Sequence, residues 1–301
     1  MRCRNTILLV LSLLLLHPMP LKGEQASVIE TDAVIVLFEK SLEGVAKGVI
    51  DIYPAVREEL EETLEWRLNF RPAVLLMKDR KAFQQMARST LIMAFADPGQ
   101  GLIVIDYSYM AAHPSLLRTT LKHELSHLLL HRHIQTANLP RWLDEGIAQW
   151  VSGGMAEILM NRDRFILNRT VLSGTYIRIR DLTMRFPAEE IPLLTAYEES
   201  RDLTEYIHRE FGRNGLLDIL RYLKRGDTPE RAIHRSLFIS LDELERRWLN
   251  DLRKRSTWFT YLTVHLYQIL FFLGALLTMF GFIRARIKKR TYRKDDSLSD
   301  D

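Results

Sequence analysis

Cysteine is almost missing from this chain of 301 residues: there is one, Cys3. That excludes a disulfide framework and a cysteine-ligated structural zinc site. Net charge is also small, +4 overall, and it is concentrated at the two ends. Residues 1–26 carry +2 and the stretch from Arg284 onward carries +3, which leaves −1 on everything between. A nearly neutral central region has no electrostatic footprint for nucleic acid, and no such partner is expected. Internal repeats and low-complexity linkers are absent too.

Two apolar runs stand out against this background. "ILLVLSLLLL", Ile7 to Leu16, follows Arg2 and Arg4 and precedes the polar "KGEQAS". A basic start, a short apolar stretch and a small-residue exit read as a secretory signal peptide over residues 1–26, with an uncleaved anchor as the alternative. Cys3 would leave with it. The second run, Trp258 to Ile283, has 26 residues and no formal charge. A membrane span needs about 20. Trp258, Phe259 and Tyr261 occupy the place of an interfacial aromatic belt. His265 and Gln268 fall inside the run, and a neutral histidine near the interface is the simpler reading of the first. Seven basic residues follow from Arg284 to Lys294. Positive flanks stay cytoplasmic. The expected organisation is therefore a domain at 27–257 outside the cytoplasm, a transmembrane helix at 258–283, and a basic cytoplasmic tail at 284–301 beside anionic lipid headgroups.

Within 27–257, "AVIVLF" (33–38), "AVLLM" (73–77) and "GLIVID" (101–106) are short β-branched runs bounded by turn or charged residues, and they read as strands. A long helix is expected within Leu42–Leu68, with Pro54 in a first turn. "DRKAFQQMA" reads as a helix capped by Asp79. "PSLLRTTLKHELSHLLLHRH" follows, with Ser115 as cap, and then "PRWLDEGIAQWVSGG", opened by Pro140 and closed at Gly153-Gly154. Two further helices end at Gly212 and Gly226, and a last one begins at Ser240 and Glu243 in capping-box spacing. Strands first and helices later give an α+β class: a small mixed sheet followed by a helical bundle that carries the motif described next.

"LKHELSHLLLHRH" puts His123 and His127 four apart, on one face of a helix, where both imidazoles can reach a single ion. Glu124 between them suits a general base in the HExxH arrangement. A catalytic zinc site needs a third ligand and an open position. His133 has the HExxHxxGxxH spacing, but Leu130 stands where that pattern has its glycine. A left-handed leucine costs roughly 1–2 kcal/mol. If the helix continues, His133 turns off the shared face and His131 lies a turn too far along. Both then sit at the helix C-terminus facing solvent. Glu145, eighteen residues after His127, can reach across from the next helix. Asp144 beside it points about 100° away around that helix. Gln149, one turn on from Glu145, can orient a ligand histidine through its ring N–H.

"HELSHLLL" with "LPRWLDEGIAQWVSGG" resembles the gluzincin metallopeptidases, in particular peptidase MA-like domains. The similarity extends from the strand–helix order upstream to "AYEESRDLTEYIHREFG" downstream, covering most of 30–250, though Met155 to Pro192 carries no match. The resemblance implies Zn²⁺ at His123, His127 and Glu145, Glu124 as general base, and a peptide or protein substrate. It also implies a tyrosine that stabilises the oxyanion, for which Tyr197 fits best and Tyr206 is the reserve. The expected function is that of a membrane-anchored zinc peptidase. The alternative is a non-catalytic binding or scaffold ectodomain that keeps the gluzincin fold.

Overall fold

A computed structural model describes residues 26–111, 114–154, 167, 170 and 173–296. Residues 1–25 of the expected signal peptide, residues 112 and 113, most of 155–172 and the last five residues lie outside them. The chain divides into two compact units, Met1–Trp248 and Leu249–Asp301.

In the first unit the sheet is built from β1 (Ala26–Glu30), β2 (Ile35–Glu39), β3 (Ala73–Met77), β4 (Ala94–Asp97) and β5 (Leu102–Asp106), in the order β1-β2-β3-β5-β4. β2, β3 and β5 are mutually parallel, and each edge strand is antiparallel to its neighbour. The three predicted strands are the parallel centre. They are legible because a strand covered on both faces is a continuous apolar run. The edge strands were not predicted. β1 alternates exposed and half-buried residues, and β4 is only "AFAD".

Helix α1 (Glu43–Leu64) links β2 to β3 and presents Val49, Tyr53, Val56, Leu60 and Leu64 to the core. Pro54 is in its middle rather than its first turn. Pro54 has no N–H for the carbonyl one turn back, that of Ile50, and its own ring is exposed. Helix α2 (Arg80–Ala87) starts as expected, with Asp79 Oδ1 accepting from Lys81 N–H at 2.8 Å and Ala82 N–H at 3.2 Å.

Helices α3 (Leu116–His133) and α4 (Arg141–Ser152) follow. Ser115 precedes α3 with helical dihedrals and makes no side-chain cap, contrary to expectation. Every residue of α3 from Leu121 to Leu130 is buried except Lys122. Trp142 to Gln149 of α4 are all buried. A helix enclosed on all sides is central rather than amphipathic, so polar groups on these two must find their partners inside the protein.

Helix α5 (Glu190–Lys224) reads as two predicted helices because its dihedrals break at Gly212 (φ 72°, ψ 176°). An L-residue there would be strained. Helix α6 (Pro229–Leu237) was not predicted; Thr228 caps it through Arg231 N–H. Helix α7 (Leu241–Asp296) begins with Glu243 N–H donating to Ser240 Oγ at 3.1 Å and runs on through the apolar run.

In the second unit, His265–Arg286 is long and apolar enough to cross a membrane, with mean hydropathy 2.0. The side chains of Trp258, Phe259 and Tyr261, named above as an aromatic belt, are outside the described set.

Candidate metal centre

α3 brings His123 and His127 to one face by local geometry alone; the third group depends on how α4 returns. The chain turns at 134–140, and the N-terminus of α4 is received by the segment after the undescribed stretch. Arg141 N–H donates to Thr183 O at 2.8 Å and Trp142 N–H to Leu182 O at 3.1 Å, which satisfies two donors that a helix start leaves open. Glu145 then faces α3 from the second turn of α4.

The result is a triangle. His123 Nε2 and His127 Nε2 are 3.3 Å apart. Glu145 Oε2 is 3.6 Å from each. A metal ion with bonds of about 2.0–2.2 Å at near-tetrahedral angles holds its donors roughly 3.3–3.6 Å apart. The three side chains therefore fit an ion as they stand, and all three are buried.

Asp144 is not a fourth donor. Its Oδ1 lies 2.7 Å from His127 Nδ1 and its Oδ2 lies 3.0 Å from His131 Nε2. A carboxylate on Nδ1 sets the tautomer in which Nε2 keeps its lone pair toward the centre. This is the role the sequence suggested for Gln149, and the structure corrects it. Gln149 Nε2 instead donates to Tyr197 O at 3.0 Å and ties α4 to α5. His131 is corrected as well. It is half-buried, with Nδ1 3.2 Å from Thr136 Oγ1, rather than facing solvent. His133 is far from the triangle: Nε2 bonds Arg67 O at 3.1 Å and the ring lies 4.8 Å from that of Trp66. Its spacing signal fails because α3 stays helical to its end, with Ile134 N–H donating to Leu130 O.

The electrostatics follow from burying several ionisable groups together. Burial opposes the charge on Glu145, yet the Arg141 guanidinium and the His127 imidazole hold its carboxyl well below the usual range. Burial likewise opposes ionisation of Asp144, and His127 and His131 overcome it. For His127, burial alone lowers the pKa, while Asp144 and Glu145 lift it well above the ordinary imidazole value. Such a group contributes little to stability, because desolvation cancels most of the Coulombic gain. Clusters of this kind mark functional sites.

A cleft of about 330 Å³ opens on the centre, lined among others by Phe95 and Ala96 of β4 and by His127, Arg141, Glu145 and Tyr197. Tyr197 is buried, its ring edge-on to Phe186 with centroids 5.1 Å apart. Tyr206 is buried under Arg209 and does not line the cleft. His123 and Glu124 are wholly buried, and the cleft wall is made by other residues.

Gly146 permits the close approach of α4 and α5. A Cβ there would fall 2.1 Å from Thr204 Oγ1 and 2.5 Å from Ser200 O. Sequence reasoning missed this packing role, as it missed Arg141. The signal for Gly146 was available in the "EG" pair inside an otherwise good helix.

No curated protein matches the chain. A family model of the peptidase MA superfamily matches residues 83–254, more than half of the length and all of the triangle, and the chain belongs to that superfamily.

Proposed function

We propose that the chain is a membrane-anchored zinc peptidase that hydrolyses peptide bonds at the His123–His127–Glu145 centre. The observation that carries the reading is the donor triangle, with sides of 3.3, 3.6 and 3.6 Å, buried at the end of a cleft. Two imidazoles and one carboxylate with an open fourth position suit catalytic zinc.

Zinc, when bound, lowers the pKa of a water toward neutrality and polarises the carbonyl it faces. Glu124 accepts the proton of the attacking water and passes it to the departing amine. Catalytic hydrogen bonds often tighten once substrate is in place, and Glu124 is wholly buried. Tyr197, a cleft residue, donates its hydroxyl to the developing oxyanion. Asp144 holds the His127 ring. The substrate backbone is received by β4, which is a sheet edge. In an antiparallel ladder alternate residues face away from the partner strand. The pairing of Asp106 N–H with Met93 O puts the backbone groups of Ala94 and Ala96 on that outer side. An extended peptide can add there as a further strand.

The helix His265–Arg286 tethers this domain to a membrane, with the basic residues that follow on the cytoplasmic side. The substrates are then peptides or proteins near the opposite surface. Purified full-length protein in detergent tests the reading. It should contain about one zinc per chain and cleave a peptide library, and a chelator should abolish cleavage. Glu124→Gln should keep the zinc and lose hydrolysis. Unimpaired biological function in that variant would favour the scaffold alternative. A wild-type protein without zinc would end the metallopeptidase reading. Recovery in the soluble fraction after removal of residues 1–26 alone would refute the tether.

A further inference from the structure

Arg141 stands at the first position of α4 and reaches one turn forward. Its Nη2 forms an ion pair with Glu145 Oε1 at 2.5 Å, while Glu145 Oε2 is the oxygen in the donor triangle. The two oxygens of this carboxylate therefore have different partners. The backbone N–H of Arg141 is bonded to Thr183 O, which fixes where the side chain starts. The guanidinium has two further neighbours: its Cζ lies 5.7 Å from the centroid of the Phe186 ring, and Nη1 is 3.7 Å from Asp144 Oδ2. Phe186 in turn packs on Tyr197.

We propose that Arg141 is a positioning residue for the third ligand, holding Oε1 of Glu145 so that the carboxylate meets the metal through Oε2 alone. The inference rests on the metal reading above. Its physical basis is a conflict of signs. A guanidinium beside a ligand carboxylate repels a dication, so charge alone makes Arg141 unfavourable for metal binding. Its presence is explained by what it does to orientation. A carboxylate whose second oxygen is not engaged can turn about its last bond and offer both oxygens to an ion. Bidentate binding would occupy the position that must stay open for water and substrate. The two arms of the guanidinium face different carboxylates, Nη2 the Glu145 Oε1 and Nη1 the Asp144 Oδ2, an arrangement that the point charge of a lysine does not reproduce.

The test uses the full chain loaded with cobalt(II), whose visible absorption is strong at four-coordinate and weak at higher-coordinate sites. Zinc affinity is measured in parallel by competition with a chelator. Arg141→Gln should weaken the cobalt absorption and loosen zinc binding by about 10–100-fold. The far-ultraviolet circular dichroism spectrum of the metal-free variant should match that of wild type, which shows that the fold is kept. Arg141→Lys should recover part of the affinity, and Arg141→Met carries the same test should the Gln variant fail to fold. An unchanged cobalt spectrum with equal or tighter zinc binding would overturn the proposal, since charge removal alone predicts tightening. If the wild-type chain takes up neither ion, the metal reading itself fails and this inference falls with it.

Discussion

Glu199 offers a test of the fold that needs no knowledge of the reaction. It sits on α5, fully buried, with Ile177 N–H 3.1 and 3.2 Å from its two oxygens. Burial, with Glu245 and Asp202 nearby, pushes its carboxyl up to about 8 from an ordinary value of 4.5. In the folded chain it therefore keeps its proton at pH 7, whereas the unfolded chain releases it above pH 4.5. The unfolded state binds fewer protons across that window, so stability falls as pH rises from about 4.5 to about 8. Each pH unit between the two values is worth about 1.4 kcal/mol. The whole interval is then roughly 3–5 kcal/mol, a large part of the stability of a typical domain. Glu199→Gln keeps the shape and removes the titration. Urea unfolding of both proteins, followed by tryptophan fluorescence at pH 5, 6, 7 and 8, isolates the effect, because titrating groups that do not interact with Glu199 cancel in the difference. The variant should gain on wild type by about 2–4 kcal/mol between pH 5 and pH 8. A difference that stays constant within about 0.5 kcal/mol would refute the argument.

Three further outcomes follow from particular contacts. Gly146→Ala drives a methyl into Thr204 Oγ1 and Ser200 O and should lower stability by about 1–3 kcal/mol or more, read from the denaturation midpoint. Asp144→Asn should loosen zinc by about 10–100-fold in a chelator competition, with the far-ultraviolet circular dichroism spectrum unchanged, because an amide, which can donate as well as accept, no longer fixes the His127 tautomer. His133→Ala should retain metal and Glu145→Ala should lose it. Elemental analysis giving the reverse would move the third ligand to the end of α3.

The parts of this protein that were readable from its sequence are those in which the cause is local. Residues four apart on a helix share a face whatever surrounds them, so His123 and His127 could be paired before any fold was known. Asp79 caps α2 through N–H groups two and three residues away, and Gly212 breaks α5 because its dihedrals suit no other residue as well. The central strands announced themselves by being apolar on both faces. β4 could not, since four residues with one aromatic carry no period, yet it forms one wall of the cleft.

Tertiary structure decided the rest, because each remaining choice depends on how distant segments meet. His133 and Glu145 were both admissible third ligands on spacing. α3 running unbroken to its end removed the first. The return of α4, received by Leu182 and Thr183, brought Glu145 Oε2 within 3.6 Å of both Nε2 atoms, where it could serve. Asp144 took the place at His127 Nδ1 expected of Gln149, and Gln149 bonds Tyr197 O instead, for the same reason. Which side chain meets His127 Nδ1 is set by the rotation of α4 against α3, and Gly146 helps to fix where that helix lies by letting α5 close on it. Periodicity names the face of one helix, but only the packing of several buried helices determines which groups converge on a common point.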